Sequence, residues 1–253
     1  MSRYLIQFSY DGGSFHGYQI QPNAHSVQAE LEEKLSLLLG LKVEITGSSR
    51  TDTGVHARQQ FAHVDLPDEI IPAADFVYRA NRMLPTSLAL HALYAVSDEV
   101  HARFDALSRT YEYVISTSKS PLMRKYAYWF EAKLDIDQMN LAGEILKNYT
   151  NFQCFSKVKT EVTTFDCDIK KAFWEMRNDQ LIFTIQANRF LRGMVRSVVG
   201  TMIEIGLGNW ELSDLTNILN SKDRQKAGRS VPAHGLYLIQ VEYPKAIFDA
   251  KCS

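Results

Sequence analysis

Two stretches of this chain follow the same order of patterns, and that order limits the folds open to it. In the first, residues 3–10 alternate apolar and polar side chains, residues 27–39 carry an apolar stripe, and residues 41–46 and 59–64 alternate again. In the second, residues 109–115 alternate, residues 135–147 read as a helix, and residues 165–176 and 181–186 form a hairpin turning at Asn178-Asp179. A period of two marks strands with one face buried, and a period near 3.6 marks helices lying on them. The expected class is α+β, with two similar halves, residues 1–107 and 108–253, facing one another. No sequence identity links the halves, and no low-complexity linker divides them.

Local signals set the element ends. Ser26 is placed to cap a helix whose stripe is Val27, Leu31, Leu35 and Leu38, and Gly40 is placed to stop it. Residues 65–72, with two prolines, read as a turn region. Residues 73–84 read as a helix with Phe76, Ala80 and Met83 inward and Arg79 and Arg82 outward. Residues 87–96, 126–131 and 236–242 read as strands, and residues 212–219 as a short helix. In residues 109–115, Tyr111, Tyr113 and Ile115 fall on one face, with Thr110, Glu112 and Val114 on the other.

Between the runs at 41–46 and 59–64 a short turn would suffice, yet the connection is long and holds Arg50, Asp52, His56 and Arg58. Polar loops fixed on a rigid sheet are where chemistry is commonly placed. Asp52 has two readings. It bonds backbone amides in an Asx-turn, with Gly54 supplying positive φ, or it is a catalytic carboxylate. The aromatic residues near Gly12, Gly13 and Gly17 are similarly double: Phe15, His16 and Tyr18 either stack on bases or fold back under their loop. On a helix spanning residues 189–205, Phe190, Met194, Val195, Val198 and Met202 cover the buried side, while Arg189, Arg192, Arg196, Gly193 and Gly200 share the other. Glycine inside a helix costs ~1 kcal/mol relative to alanine, so something negative is expected to approach this helix closely.

Composition narrows the class. No apolar run approaches the ~18–20 residues of a membrane span, and residues 1–4 lead straight into a strand-like run. Cys154, Cys167 and Cys252 are far apart, and the seven histidines show no ligand spacing. A cytoplasmic protein without metal is expected. A net charge of −1 argues against a chain coated in nucleic acid but allows a local basic cleft.

The segment Gly47-Ser48-Ser49-Arg50-Thr51-Asp52-Thr53-Gly54-Val55-His56-Ala57 resembles the signature of the TruA family of tRNA pseudouridine synthases. The resemblance runs through the chain in family order. It takes in Tyr10-Asp11-Gly12, Gly17-Tyr18-Gln19-Ile20-Gln21, His101-Ala102-Arg103-Phe104 and Arg109-Thr110-Tyr111-Glu112-Tyr113. It continues with Asn188, Phe190, Met194-Val195-Arg196, Gly200, Lys222-Asp223-Arg224 and Gly235-Leu236-Tyr237-Leu238. Ser49 stands where the family usually has Gly, Thr53 where it has Ala, and Tyr18 where Trp is more frequent.

The resemblance implies two α+β halves joining a mixed, largely antiparallel sheet, with helices packed on it and a central basic cleft. It implies a homodimer without cofactor that isomerises uridine to pseudouridine in the anticodon stem-loop of tRNA. Asp52 takes the place of the catalytic carboxylate, Tyr111 that of the active-site tyrosine, and Arg196 that of the arginine paired with the carboxylate. Arg50 corresponds to the arginine of base extrusion. His56, Arg58, Tyr10, Gln19, Arg103, Arg192 and Leu236 fall at substrate-binding positions. Phosphate contacts are expected from Arg58, Arg79, Arg82, Arg192, Lys222, Arg224 and Arg229. Three other readings are a non-catalytic RNA-binding protein, a nucleosidase and a synthase acting on another RNA. The triad of Asp52, Tyr111 and Arg196 argues against the first, and the lack of a second motif carboxylate against the second.

Overall fold

A computed structural model describes residues 1–67, 73–157 and 163–249. Of the turn expected over residues 65–72, residues 68–72 lie outside the described ones. The chain divides into two compact units: Met1–Leu107 together with the chain from Leu238 onward, and Ser108–Tyr237.

The first unit contains β1 (Ser2–Tyr10), α1 (Val27–Leu39), β2 (Ile45–Gly47), β3 (His56–Leu66), α2 (Ala73–Met83) and β4 (Leu88–Ala95). β1 is flanked by antiparallel β3 and β4, with Ile6 opposite Ala62 on one side and Leu93 on the other. β2 pairs with β3, Ile45 opposite Val64. Leu5, Ile6, Phe8, Val27, Leu31, Leu35 and Phe76 are fully buried. α1 begins and ends where the sequence signals it: Ser26 accepts from the Ala29 amide, and Gly40 closes the helix at φ 68°. Met83 departs from expectation. It sits at the last residue of α2 and is exposed, while Phe76 and Ala80 are the buried residues of that helix. Strand β9 (Leu236–Glu242) begins in the second unit, and from Leu238 onward it belongs to this one. The Leu107 amide donates to Glu242 O, the Val241 amide to Gln59 Oε1, and the Tyr243 hydroxyl to Ala102 O.

The second unit contains β5 (Ser108–Ser116), β6 (Tyr128–Trp129), α3 (Ile136–Lys147), β7 (Ile169–Arg177), β8 (Gln180–Ala187), α4 (Met194–Gly206) and α5 (Leu212–Ser221). β8 lies between β5 and β7, antiparallel to both, and β6 runs parallel to β5, so the strands are mixed but mostly antiparallel. β7 and β8 meet at the expected two-residue turn, where Asn178 takes φ 55°. β5 is buried on both faces along its whole length. Glu112 is tolerated there because Arg177 Nη1 lies 2.7 Å from its carboxylate.

Helix α4 corrects the sequence reading. It starts at Met194, after Gly193 at φ 74°, so Arg189 and Arg192 precede it instead of sharing a face with Arg196. Nor is it amphipathic: Ser197, Val199, Gly200 and Thr201 are buried as well as Val198 and Met202. What comes close to Gly200 is the chain's own backbone. A Cβ at residue 200 would stand 1.8 Å from Arg229 O. The covering segment is tied down by Gly228 N donating to Thr201 Oγ1 (2.9 Å) and Val231 N donating to Arg196 O (3.1 Å).

Alanine in place of glycine inside a helix ordinarily gains ~1 kcal/mol. For Gly200→Ala the clash reverses the sign, and a loss of about 2–3 kcal/mol is expected from urea or thermal unfolding. A neutral or stabilised variant would contradict the backbone contact.

His63 on β3 accepts from the Ala102 amide at 3.0 Å, and burial, aided by Arg3 and His101, pushes its imidazole down to about 4. The unfolded chain takes a proton near pH 6.5 that the folded chain refuses until about pH 4. Stability is therefore complete above that window and falls as pH drops through it. For a half-buried ring the change is on the order of 1 kcal/mol. Urea midpoints measured across the window should slope less steeply in His63→Gln than in the unsubstituted chain.

Candidate active site

The connection between β2 and β3 is long, but it is not loose. At its start the Ser48 amide donates to Phe61 O (2.7 Å), the Ser48 hydroxyl to Gln60 Oε1, and Gln60 Nε2 to Ser49 O (2.9 Å). Asp52 opens a turn in which its carbonyl accepts from the Val55 amide (3.1 Å), and Gly54 takes φ 81°, as its position suggests.

The segment after β1 packs against this loop from a distant part of the sequence. The Tyr10 hydroxyl and Thr51 Oγ1 are 2.8 Å apart, and the Tyr18 amide donates to Thr51 O at 3.1 Å. Gly17, at φ 92°, lies under the same backbone: a Cβ there would come within 2.9 Å of Thr51 O and 3.3 Å of Thr53 N. His56 opens β3 in a buried position, its Nδ1 3.2 Å from the Gly12 amide and 3.1 Å from Asp11 Oδ1. A neutral ring accepts from Gly12, and a protonated one donates to Asp11. Asp52 is half-buried between the buried Thr51 and the exposed Thr53. The aromatic residues sort accordingly. Phe15 and Tyr18 are core, leaving only His16 exposed, so the folded-back reading holds for the two larger rings.

Tyr111 and Arg196 belong to the second unit. Tyr111 is buried on β5 and meets Phe190 edge-on, with ring centroids 5.1 Å apart. Arg196, in the first turn of α4, donates from Nε to Val231 O at 2.7 Å. One residue further along that segment, Pro232 O accepts from the Tyr113 hydroxyl (2.9 Å), whose ionisation burial pushes strongly upward. Residues 231–232 thus fix the arginine and a second tyrosine together.

The remaining expected residues are spread out. In the first unit Tyr10 and His56 join the packing around the Asp52 loop, while Arg50, Arg58 and Gln19 are exposed. Arg103 is exposed on a separate turn, with its guanidinium 5.6 Å from the Phe104 ring centroid. In the second unit Leu236 is buried, Arg192 is exposed, and the Arg192 carbonyl accepts from Lys157. Arg224 donates from its guanidinium to Ala227 O, Gly228 O and Ser230 Oγ, closing its own loop. Lys222 caps α5 at φ 54°. The sequence reading gave no positioning role to Gly17, Thr51 or Tyr113. A glycine flanked by His16 and Tyr18 was the one available signal for the first.

No group of three or more His, Cys, Asp or Glu among the described residues is arranged to hold a metal ion. No helix among them is long and apolar enough to cross a membrane.

Residues 148–244 match a family model described as tRNA pseudouridine synthase. A protein of Parabacteroides distasonis named tRNA pseudouridine synthase A is 44% identical over 254 residues, covering 99% of this chain and 100% of the relative. A protein of the same name from Bacillus subtilis is 39% identical, covering 95% of this chain and 99% of the relative. The chain belongs to the tRNA pseudouridine synthase A family. It is therefore an RNA-modifying isomerase.

For a synthase of this family built as described, Gly17 carries weight out of proportion to its size. Gly17→Ala should lower turnover at least tenfold, read as tritium released from C5-labelled uridine in tRNA. Gly40→Ala puts the same substitution at φ 68° with nothing within 4 Å. It should share the backbone strain of ~1 kcal/mol and leave turnover unchanged. Equal activity in the two variants would remove Gly17 from the positioning of the loop.

Proposed function

We propose that this synthase converts uridine to pseudouridine in the anticodon stem-loop of tRNA, with Asp52 as its catalytic carboxylate. The observation that carries the reading is the loop itself: residues 48–55 are bonded at both ends and packed from beneath, and Asp52 is held at their centre. Such preorganisation is what a group acting on developing charge requires.

The reaction breaks the bond from ribose C1′ to uracil N1 and forms one from C1′ to C5. Cleavage builds oxocarbenium-like charge on the sugar. A carboxylate beside C1′ stabilises that charge, attacks it, or takes the C2′ proton. Hydrolysis of such a bond calls for a second carboxylate to activate water. Here the detached uracil is the acceptor, so one carboxylate suffices in a site that excludes water.

Arg196 takes the place of the arginine that the resemblance pairs with this carboxylate, and a guanidinium does not deprotonate. Its Nε bond to Val231 O supports this role by fixing the orientation of the fork. Tyr111 offers a ring face to the uracil and a hydroxyl for the proton leaving C5. Eversion of the base costs a few kcal/mol, which Arg50 helps to offset. Tyr10 and His56 act through the loop, whereas Gln19, Arg58, Arg103, Arg192 and Leu236 contribute to RNA binding. The enzyme works as a cytoplasmic homodimer, as the resemblance implies.

The test uses tRNA carrying tritium at C5 of uridine. Unsubstituted protein should release tritium, and Asp52→Asn should release none while binding tRNA within about threefold of normal. Replacing the uridines of the anticodon stem-loop by cytidine should abolish release. Equal release from both proteins would remove Asp52 from the mechanism, and free uracil as product would make the enzyme a hydrolase.

A further inference from the structure

Outside the Asp52 loop, the first unit carries a tightly bonded surface turn at residues 101–105. Every backbone N–H in it has an acceptor. His101 N donates to Asp105 Oδ2 (2.8 Å), Ala102 N to His63 Nδ1 (3.0 Å) and Arg103 N to His101 Nδ1 (3.1 Å). Phe104 N and Asp105 N both donate to His101 O at 3.1 Å. Ala102 is fully buried, and its carbonyl accepts from the Tyr243 hydroxyl. At the tip of this frame Phe104 is 73% exposed.

A lone exposed apolar side chain is unremarkable on a protein surface. Phe104 differs because its backbone has no freedom to fold it away. Its ring is also held from the side, with the His101 ring centroid 4.3 Å distant and the Arg103 guanidinium 5.6 Å from its own centroid. A fixed, solvent-facing aromatic ring beside a guanidinium is the arrangement that receives an unstacked nucleobase and its phosphate. We propose that Phe104, supported by His101 and Arg103, is a stacking platform for an unpaired base of the RNA substrate. This rests on the reading of the chain as a tRNA-binding enzyme. It adds an RNA-binding residue remote in sequence from the Asp52 loop, not a catalytic one.

The experiment measures dissociation constants by filter binding with a full-length tRNA transcript, alongside C5 tritium release at saturating tRNA. Phe104→Leu keeps an apolar side chain and removes the ring. It should bind tRNA roughly tenfold more weakly while retaining turnover at saturation within about twofold. Phe104→Trp should restore binding, and its added indole emission should be quenched when tRNA is bound. Leu and Trp variants that both bind as the unsubstituted protein does would overturn the proposal. So would a Leu variant that falls from dimer to monomer in sedimentation, since the ring would then belong to a contact between copies. Absent tritium release from the unsubstituted protein, with tRNA binding intact, would strike the catalytic reading and leave the platform to be judged by the binding constants.

Discussion

The loop that holds Asp52 keeps its shape because a segment thirty-odd residues earlier in the chain lies directly beneath it. Gly17 brings backbone to backbone at a distance no side chain would allow, and Tyr10 and Tyr18 fasten Thr51 from either end. β1 and β3 are antiparallel neighbours, with a register shift between Phe8 and Tyr10, so both segments emerge from adjacent strands of one rigid sheet. The loop thereby inherits the stiffness of that sheet. A carboxylate carried on a free connection of the same length would sample many positions, and would be ill suited to the role proposed for Asp52.

Much of the fold was legible because it follows from short-range chemistry. Ser26 and Gly40 delimit α1 by satisfying its terminal amides and carbonyls, and Asn178 turns the β7–β8 hairpin by accepting positive φ. Long-range packing was not legible. The glycine at 200 pointed correctly to a close neighbour, yet the neighbour is Arg229 of the same chain and not a phosphate. A helical wheel treats residues 189–205 as one cylinder, and it had no means of seeing that Gly193 breaks the direction before Met194. For the same reason the two readings of Phe15 and Tyr18 could not be separated until tertiary contact with the sheet showed both buried.

The candidate site divides along the same line. Asp52 was singled out as a candidate because a long polar connection between two strands needs a purpose, and motif resemblance supplied the roles proposed for Tyr111 and Arg196. The supports of these residues are contacts between segments distant in sequence: Thr51 with Tyr10, Arg196 with Val231, Tyr113 with Pro232. Charge alone did not reveal that the Arg224 guanidinium closes its own loop through three backbone and hydroxyl acceptors. A surface arginine is defined by what its five donors already hold, and a sequence does not carry that count.

The first unit is discontinuous in the chain. Its sheet and the turn at residues 101–105 receive bonds from Val241 and Tyr243, which follow the whole of the second unit. On the ribosome, this amino-terminal domain cannot be completed when its own residues emerge; it must wait, with hydrophobic surface uncovered, until the last strand is made. The second unit, by contrast, is contiguous and free to fold first. Vectorial synthesis thus runs opposite to the order of domain closure, and a nascent chain stalled before residue 238 would present chaperones with the half that bears Asp52 still open.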